Sequence, residues 1–399
     1  MASSLTAVTP TEIGAESSDA LLVHLAPLAP EELEPALSHL VLAFPAQEVF
    51  VSLPAAPNFA GESSFHTLKL LTYTPHGSSE MSPLPTAADL LSLWKLVEEN
   101  HATACIHLGP RFDTLQPAAI YALAATAFSA DLAVARYRLG PHEGLFNSAI
   151  LYPVTRALFG SCVRFPLALD LGFSARMVER LAAAASRYPA LRQNETLLWP
   201  AAEAAMAGYS CAEVEIPVRS FPEPPAADLN TILTQIAGAL FADIEAKATF
   251  WQRLRSTTPV QTTTHEAASD NLPDVAPMLD SFHLAYNNLH DLWAIVLPPQ
   301  SLVDLKRLTA LSADNFRMPD SLWARIIYDF ALAYRLRSIH RGHLLGALTP
   351  LYLAWVASHL KLIRDGTAAE QHIEQLAQVF EADKPYLVSR WRWPDRFNP

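Results

Sequence analysis

The sequence has few of the features that mark exported, redox-active or nucleic-acid-binding proteins. Three cysteines in 399 residues, Cys105, Cys162 and Cys211, are odd in number and lack paired metal-ligand spacing, which excludes a disulfide framework or a zinc ribbon. They read as small buried hydrophobes in a reducing compartment. Residues 1–19 contain neither a basic nor an apolar stretch, so no ordinary secretory signal is expected there, only a disordered polar tail. The longest apolar run, LTPLYLAWVASHL at 348–360, falls short of the roughly 20 residues that span a bilayer as a helix. No transmembrane segment is expected, and the cytoplasm is the expected location. Charged residues make up only 17%, and the net charge of −12 gives no diffuse basic field, which argues against nucleic acid as a partner. Internal repeats are absent, and Ser161 and Ser174 lack the G-x-S-x-G setting of a serine-hydrolase elbow.

What is present is apolar. Hydrophobic residues at 51% allow a large core, and the length suits two domains. Residues 20–25 (ALLVHL), 48–53 (EVFVSL) and 104–108 (ACIHL) read as strands, with helices expected from EELEPALSHLVLAF and over 87–100 between them. A helix opened by Pro117, a strand over 130–139, helices over 147–159, 175–186 and 195–207, and a strand over 211–218 continue the alternation. This predicts an α/β domain over 20–255 with a mostly parallel sheet, whose ligands would lie beyond the carboxyl ends of the strands. Ile232, Ile236, Leu240, Ile244 and Trp251 form a helical stripe at its end.

Residues 256–276, rich in Thr, Pro, Asp and Asn, read as a linker or loop, and 277–399 as an all-helical C-terminal domain. Within that domain His340 and His343 stand at i, i+3 without an evident third metal ligand, so capping or packing is expected. The tail SRWRWPDRF is expected to pack Trp391 and Trp393 against the body.

Residues 151–174, LYPVTRALFGSCVRFPLALDLGFS, bring Arg156, Arg164 and Asp170 together with packing residues. This block resembles YPLTRALYG-x-x-VRQPIGGDFGFS of bacterial nucleotide-sugar glycosyltransferases related to mannosylglycerate and glucosyl-3-phosphoglycerate synthases. CIHLGPRFDTLQP at 105–117 resembles CAVVDSDLRSITP of the same family, and LWARIIYDFALAYRLRS, HLLGALTPLYLAWVAS and FEADKPYLVSRW extend the likeness toward the C-terminus. The resemblance implies the A-type glycosyltransferase fold, a nucleotide-sugar ligand, and a divalent metal held by an Asp-x-Asp motif against the leaving diphosphate.

The positions that would carry this chemistry depart from the family. Gly109, Pro110 and Arg111 stand at the Asp-x-Asp site, so the metal is expected not to bind. Leu25-Ala26-Pro27 stands where the resemblance implies a Pro-Ser-Tyr-like turn that touches the nucleotide, Ser52-Leu53-Pro54 stands where it implies a Ser-Asp-Gly-like acidic turn, and two glycines of GGDFGFS are lost around Asp170. Leu197 stands where a carboxylate is expected before Trp199, with Glu195 two residues away, and Ser220 is the nearest match to a late metal-ligand histidine. Two readings follow. One is a noncatalytic pseudoenzyme that binds a protein partner, or a second copy, through its helical domain. The other is a metal-independent transferase in which Arg111, Arg156 and Arg164 clamp the donor diphosphate and Asp170 contacts sugar or acceptor hydroxyls. A third, structural role is expected for Arg156 and Arg164 if they pair with Asp170 or nearby carbonyls.

Overall fold

The fold is that of a computed structural model, which describes residues 20–54, 65–73, 84–217, 219–220, 229–254 and 272–394. The tail expected over 1–19 and most of the linker expected over 256–276 lie outside the described residues.

Among the described residues seven strands form one sheet: β1 (Leu21–Leu25), β2 (Val49–Pro54), β3 (Leu68–Tyr73), β4 (Ala104–Leu108), β5 (Leu132–Tyr137), β6 (Leu171–Ser174) and β7 (Cys211–Ile216). Their spatial order is β3-β2-β1-β4-β6-β5-β7. All neighbours pair in parallel except β6, which runs antiparallel to both β4 and β5. The sequence reading missed β3, whose residues are only partly buried, and β6, which is four residues long.

Helices α1 (Pro30–Ala43), α2 (Ala87–Glu99), α3 (Pro117–Ser129), α4 (Tyr152–Phe159), α5 (Ala175–Ala185), α6 (Ala190–Gln193) and α7 (Pro200–Ala207) accompany the sheet. The sheet core is built from strand residues such as Leu22, Val51, Ile106 and Phe173 against helix residues such as Leu37, Leu93, Ile120 and Leu181. Helix α3 approaches β6 so closely that a Cβ at Gly172 would sit 2.9 Å from Ala127 Cβ, so glycine is required there.

The remaining helices are α8 (Leu229–Ala246), α9 (Ala248–Trp251), α10 (Ala276–Val296), α11 (Pro299–Thr309), α12 (Asp320–Leu336), α13 (Arg341–Gly346), α14 (Thr349–Arg364) and α15 (Ala369–Arg392). Trp251, Trp293, Trp323 and Trp355 are fully buried among them. This core extends into α4 and the π-turn Asn147–Leu151 before it. Pro153 explains the join. It has no N–H to offer the Ala149 carbonyl one turn earlier, and that carbonyl instead accepts the Trp323 indole N–H at 2.8 Å. Gly160 closes α4 in the left-handed region, at φ 71°.

Trp391 packs edge-on against Trp251, as expected, but Trp393 is 58% exposed. Cys105 is buried whereas Cys211, at the start of the last strand in the sheet order, is exposed, so the cysteines do not all behave as core residues.

Candidate functional site

The antiparallel direction of β6 places its start beside the ends of β4 and β5, and Asp170, one residue before β6, enters the sheet there. Gly109 directly follows β4, and Tyr137 ends β5. Arg219 arrives three residues beyond Ile216, the last residue of β7. Four elements therefore converge on one carboxylate.

That carboxylate is fully occupied by the protein. Asp170 Oδ1 accepts the Gly109 N–H at 3.0 Å, and Oδ2 accepts the Tyr137 hydroxyl at 3.0 Å and Arg219 Nε at 2.9 Å. Arg219 Nη2 donates to the Pro110 carbonyl at 2.7 Å, with Asp170 Oδ1 at 3.4 Å, and Nη1 donates to the Ser220 carbonyl at 3.0 Å. The Tyr137 hydroxyl in turn accepts the N–H groups of Leu169 and Asp170, at 3.1 and 3.0 Å, which uses its whole hydrogen-bonding capacity. The side chains of Asp170 and Arg219 are 0% exposed. Burial pushes the Asp170 carboxyl above its ordinary value, and the Arg219 charge opposes that shift.

The turn after β4 cannot hold the metal-binding carboxylates of the resembled family. A Cβ at Gly109 would lie 2.7 Å from Leu169 Cβ, so no aspartate fits without moving Leu169. Pro110 offers only its carbonyl, which Arg219 takes. Among the described residues no group of three or more His, Cys, Asp or Glu is placed to hold a metal ion. The residues present therefore do not fit the divalent metal.

The four predicted site residues have separate side-chain partners. Arg111 is exposed, sits in the left-handed region at φ 60°, and has Asp113 at 3.8 Å. Arg156 and Arg164 do not pair with Asp170; both are buried and turn toward α15. Arg156 meets Glu374 at 2.6 Å and Glu381 at 3.1 Å, and it donates to the Tyr152 hydroxyl at 3.0 Å. Arg164 donates to both oxygens of Glu370, at 3.0 and 2.9 Å, and to the Ser148 hydroxyl at 3.0 Å. The physical reason is position: Arg156 lies within α4 and Arg164 just after it, on the side that α15 covers, and Asp170 is already neutralised by Arg219. Glu195 is exposed and Leu197 buried. His340 Nδ1 accepts the Gly342 N–H, and so caps α13.

Two groups escaped the sequence reading. Arg219 lies in a loop without periodicity and carried no signal beyond its proximity to the expected histidine. His24 and His107 stand opposite each other in β1 and β4, with Nδ1 atoms 2.9 Å apart and the Tyr73 hydroxyl 3.2 Å from His24 Nε2. Their signal was legible, a histidine fourth in each of two five-residue buried strands. Burial holds both imidazoles below their ordinary value, which favours the neutral form.

No protein-family model matches this chain, and no curated protein matches it. Among solved structures it is similar to a mycobacterial protein at 13% identity, covering 57% of this chain and 74% of that one, with a TM-score of 0.39. It is also similar to glucosyl-3-phosphoglycerate synthase from Mycobacterium tuberculosis in complex with Mn2+, uridine diphosphate and phosphoglyceric acid. That match has 13% identity, covers 57% of this chain and 78% of that one, and has a TM-score of 0.38.

Proposed function

We propose that this chain is a noncatalytic protein built on a glycosyltransferase-like α/β domain, 20–255, joined to a helical domain, 277–399. The observation that carries the reading is the state of Asp170, whose carboxylate is saturated by Arg219, Tyr137 and Gly109 with no exposed edge. A residue that must receive a substrate hydroxyl or a metal needs a free lone pair at the moment of binding, and water or ligand would have to displace a buried ion pair to reach this one.

The alternative, a metal-independent transferase, needs Arg111, Arg156 and Arg164 around one diphosphate. Arg156 and Arg164 are instead committed to Glu370, Glu374 and Glu381, which would repel a diphosphate. Contact with a protein partner through the helical domain belongs to the same proposal, and exposed Leu284 and Ile295 on α10 and Val303 on α11 support it. Among the described residues no helix is long and apolar enough to cross a membrane, and a cytoplasmic location remains part of the proposal.

Calorimetric titration of the full chain with uridine and guanosine diphosphates, with and without Mn2+, tests the reading. No binding is expected in either condition. Binding that strengthens with Mn2+ would overturn the loss of the metal site, and metal-independent binding abolished by Arg111→Ala would favour the transferase.

A further inference from the structure

Tyr334, in the last turn of α12, is 7% exposed, and its hydroxyl has no hydrogen-bond partner among the described residues. A hydroxyl so placed takes its partner from outside the chain, from water or a ligand. Three guanidinium groups surround it. The Arg341 guanidinium carbon lies 3.8 Å from the centre of the Tyr334 ring. Burial raises the Tyr334 hydroxyl above its ordinary value, and the charges of Arg341, Arg192 and Arg337 each oppose that rise, so all three lie within screening distance of it. Glu245 faces the same hydroxyl, but it is already paired with Arg341 at 3.1 Å. The cluster joins both parts of the chain, with Arg192 in α6, Arg337 just beyond α12 and Arg341 opening α13.

The chain has no shortage of carboxylates, 40 against 28 lysines and arginines. Arg156, Arg164, Arg176, Arg180 and Arg219 each pair with one. Arg192 and Arg337 are exposed, and neither guanidinium has an ion-pair or hydrogen-bond partner among the described residues. Arg337 also holds the left-handed region at φ 55°, a position that ends a helix and suits glycine. Arginine there carries a backbone cost without an intramolecular contact in return. Leu191 and Leu336 directly precede the two open arginines and are 94% and 40% exposed.

We infer that this cluster docks an acidic segment of a partner protein, whose carboxylates pair with Arg192 and Arg337 and whose apolar residues meet the adjoining leucines. Charge selects the occupant. The site carries a surplus of positive charge on a chain whose net charge is −12, and at physiological salt a segment seated on it responds to charges within about 8 Å rather than to the whole surface. Arginine forms paired bonds to a carboxylate, and tyrosine and arginine are the residues that anchor protein interfaces. Nucleic acid is disfavoured because its phosphates extend along a rod and call for a basic track, whereas this cluster is local and the surrounding chain is acidic. None of these residues contacts Asp170, so the docking site stands whether or not the chain is catalytic.

Fluorescence anisotropy of a labelled peptide of mixed Glu, Asp and Leu, titrated with the full chain, tests the inference. Saturable binding that weakens as salt rises is expected, and a matched peptide with Lys in place of the acids should not bind. Arg192→Glu with Arg337→Glu is expected to raise the dissociation constant about tenfold or more with an unchanged melting temperature, since neither side chain loses a partner. Arg337→Gly should also weaken binding while holding or raising the melting temperature, which separates the charge from the backbone. Failure of the wild-type chain to bind the acidic peptide, or binding that the charge reversal leaves unchanged, overturns the inference. So does a single-stranded oligonucleotide that binds more tightly than the peptide and is lost with the same substitutions, which would assign the cluster to nucleic acid.

Discussion

Arg219 and Arg156 are both buried arginines paired with carboxylates, yet they act on different scales. Arg219 closes a local centre: its partner Asp170, the Pro110 carbonyl and the Ser220 carbonyl all lie at one end of the sheet, and none of the pair's side-chain surface meets water. Arg156 joins distant chain segments, and its glutamate partners on α15 keep one side in solvent, Glu374 being 25% exposed. The same chemistry therefore seals one region and docks another. Sealing leaves a carboxylate that no ligand can reach, whereas docking leaves one that salt and pH can still reach.

Breaking the sealed centre is expected to have the largest effect. Arg219→Ala strands Asp170 without its countercharge and should cost about 3–5 kcal/mol in urea unfolding. The double change Arg219→Met with Asp170→Leu should recover most of that loss, because the charge that needed compensation is gone. A single-mutant cost below about 1 kcal/mol would show that the centre is not held together by the pair.

That pairing also marks the limit of what the residues reveal in one dimension. Strands β1, β2, β4, β5 and β7 were legible because each is a short apolar or alternating run bounded by turn residues, whereas β6 is too short to show a period and became a strand only through the two neighbours it bridges. Asp170 was legible as a lone carboxylate in an apolar block. Its partner was not, because nothing in the loop after β7 indicates that a guanidinium 49 residues away folds back onto it. The α15 glutamates were equally hidden. Glu370, Glu374 and Glu381 look like the solvated face of an amphipathic helix, and only the docked structure turns them toward Arg164 and Arg156.

A smaller loss is expected from the docked region. Arg156→Ala removes both glutamate contacts and the bond to Tyr152, but the freed glutamates can regain water, so about 1–3 kcal/mol is expected in the same unfolding assay. Hydrogen exchange should accelerate along α15 and remain unchanged in β4 and β5; equal acceleration in both would dissolve the distinction between the two regions.

The smallest and sharpest contrast is in pH. Burial pushes the Glu374 carboxyl up, but the hydrogen bonds from Arg156 outweigh this and hold it below its ordinary value. Its contribution is therefore complete above the unfolded value of about 4.3 and is lost as pH falls through the lower folded value. Asp170 has the opposite sign. Burial raises it, so its contribution is complete below the unfolded value of about 3.9 and declines as pH rises through the folded value. Stability measured from pH 2 to 7 should thus lose part of its acid limb in Glu374→Gln, while Asp170→Asn should change the slope in the other direction. Parallel changes in the two variants would contradict the assignment of opposite shifts.

The spacing between Arg164 and Glu370, 206 residues, also has a consequence for the order of events during synthesis. A ribosome adding about 5–20 residues per second needs roughly 10–40 s to travel from the arginine to its partner. Until then the block around α4 is a nascent surface with two guanidinium groups and an open apolar face, and the sheet beneath it can form long before that face is covered. The contact between α4 and α15 therefore cannot form before the end of that interval, and the apolar face of α4 stays uncovered by α15 until then.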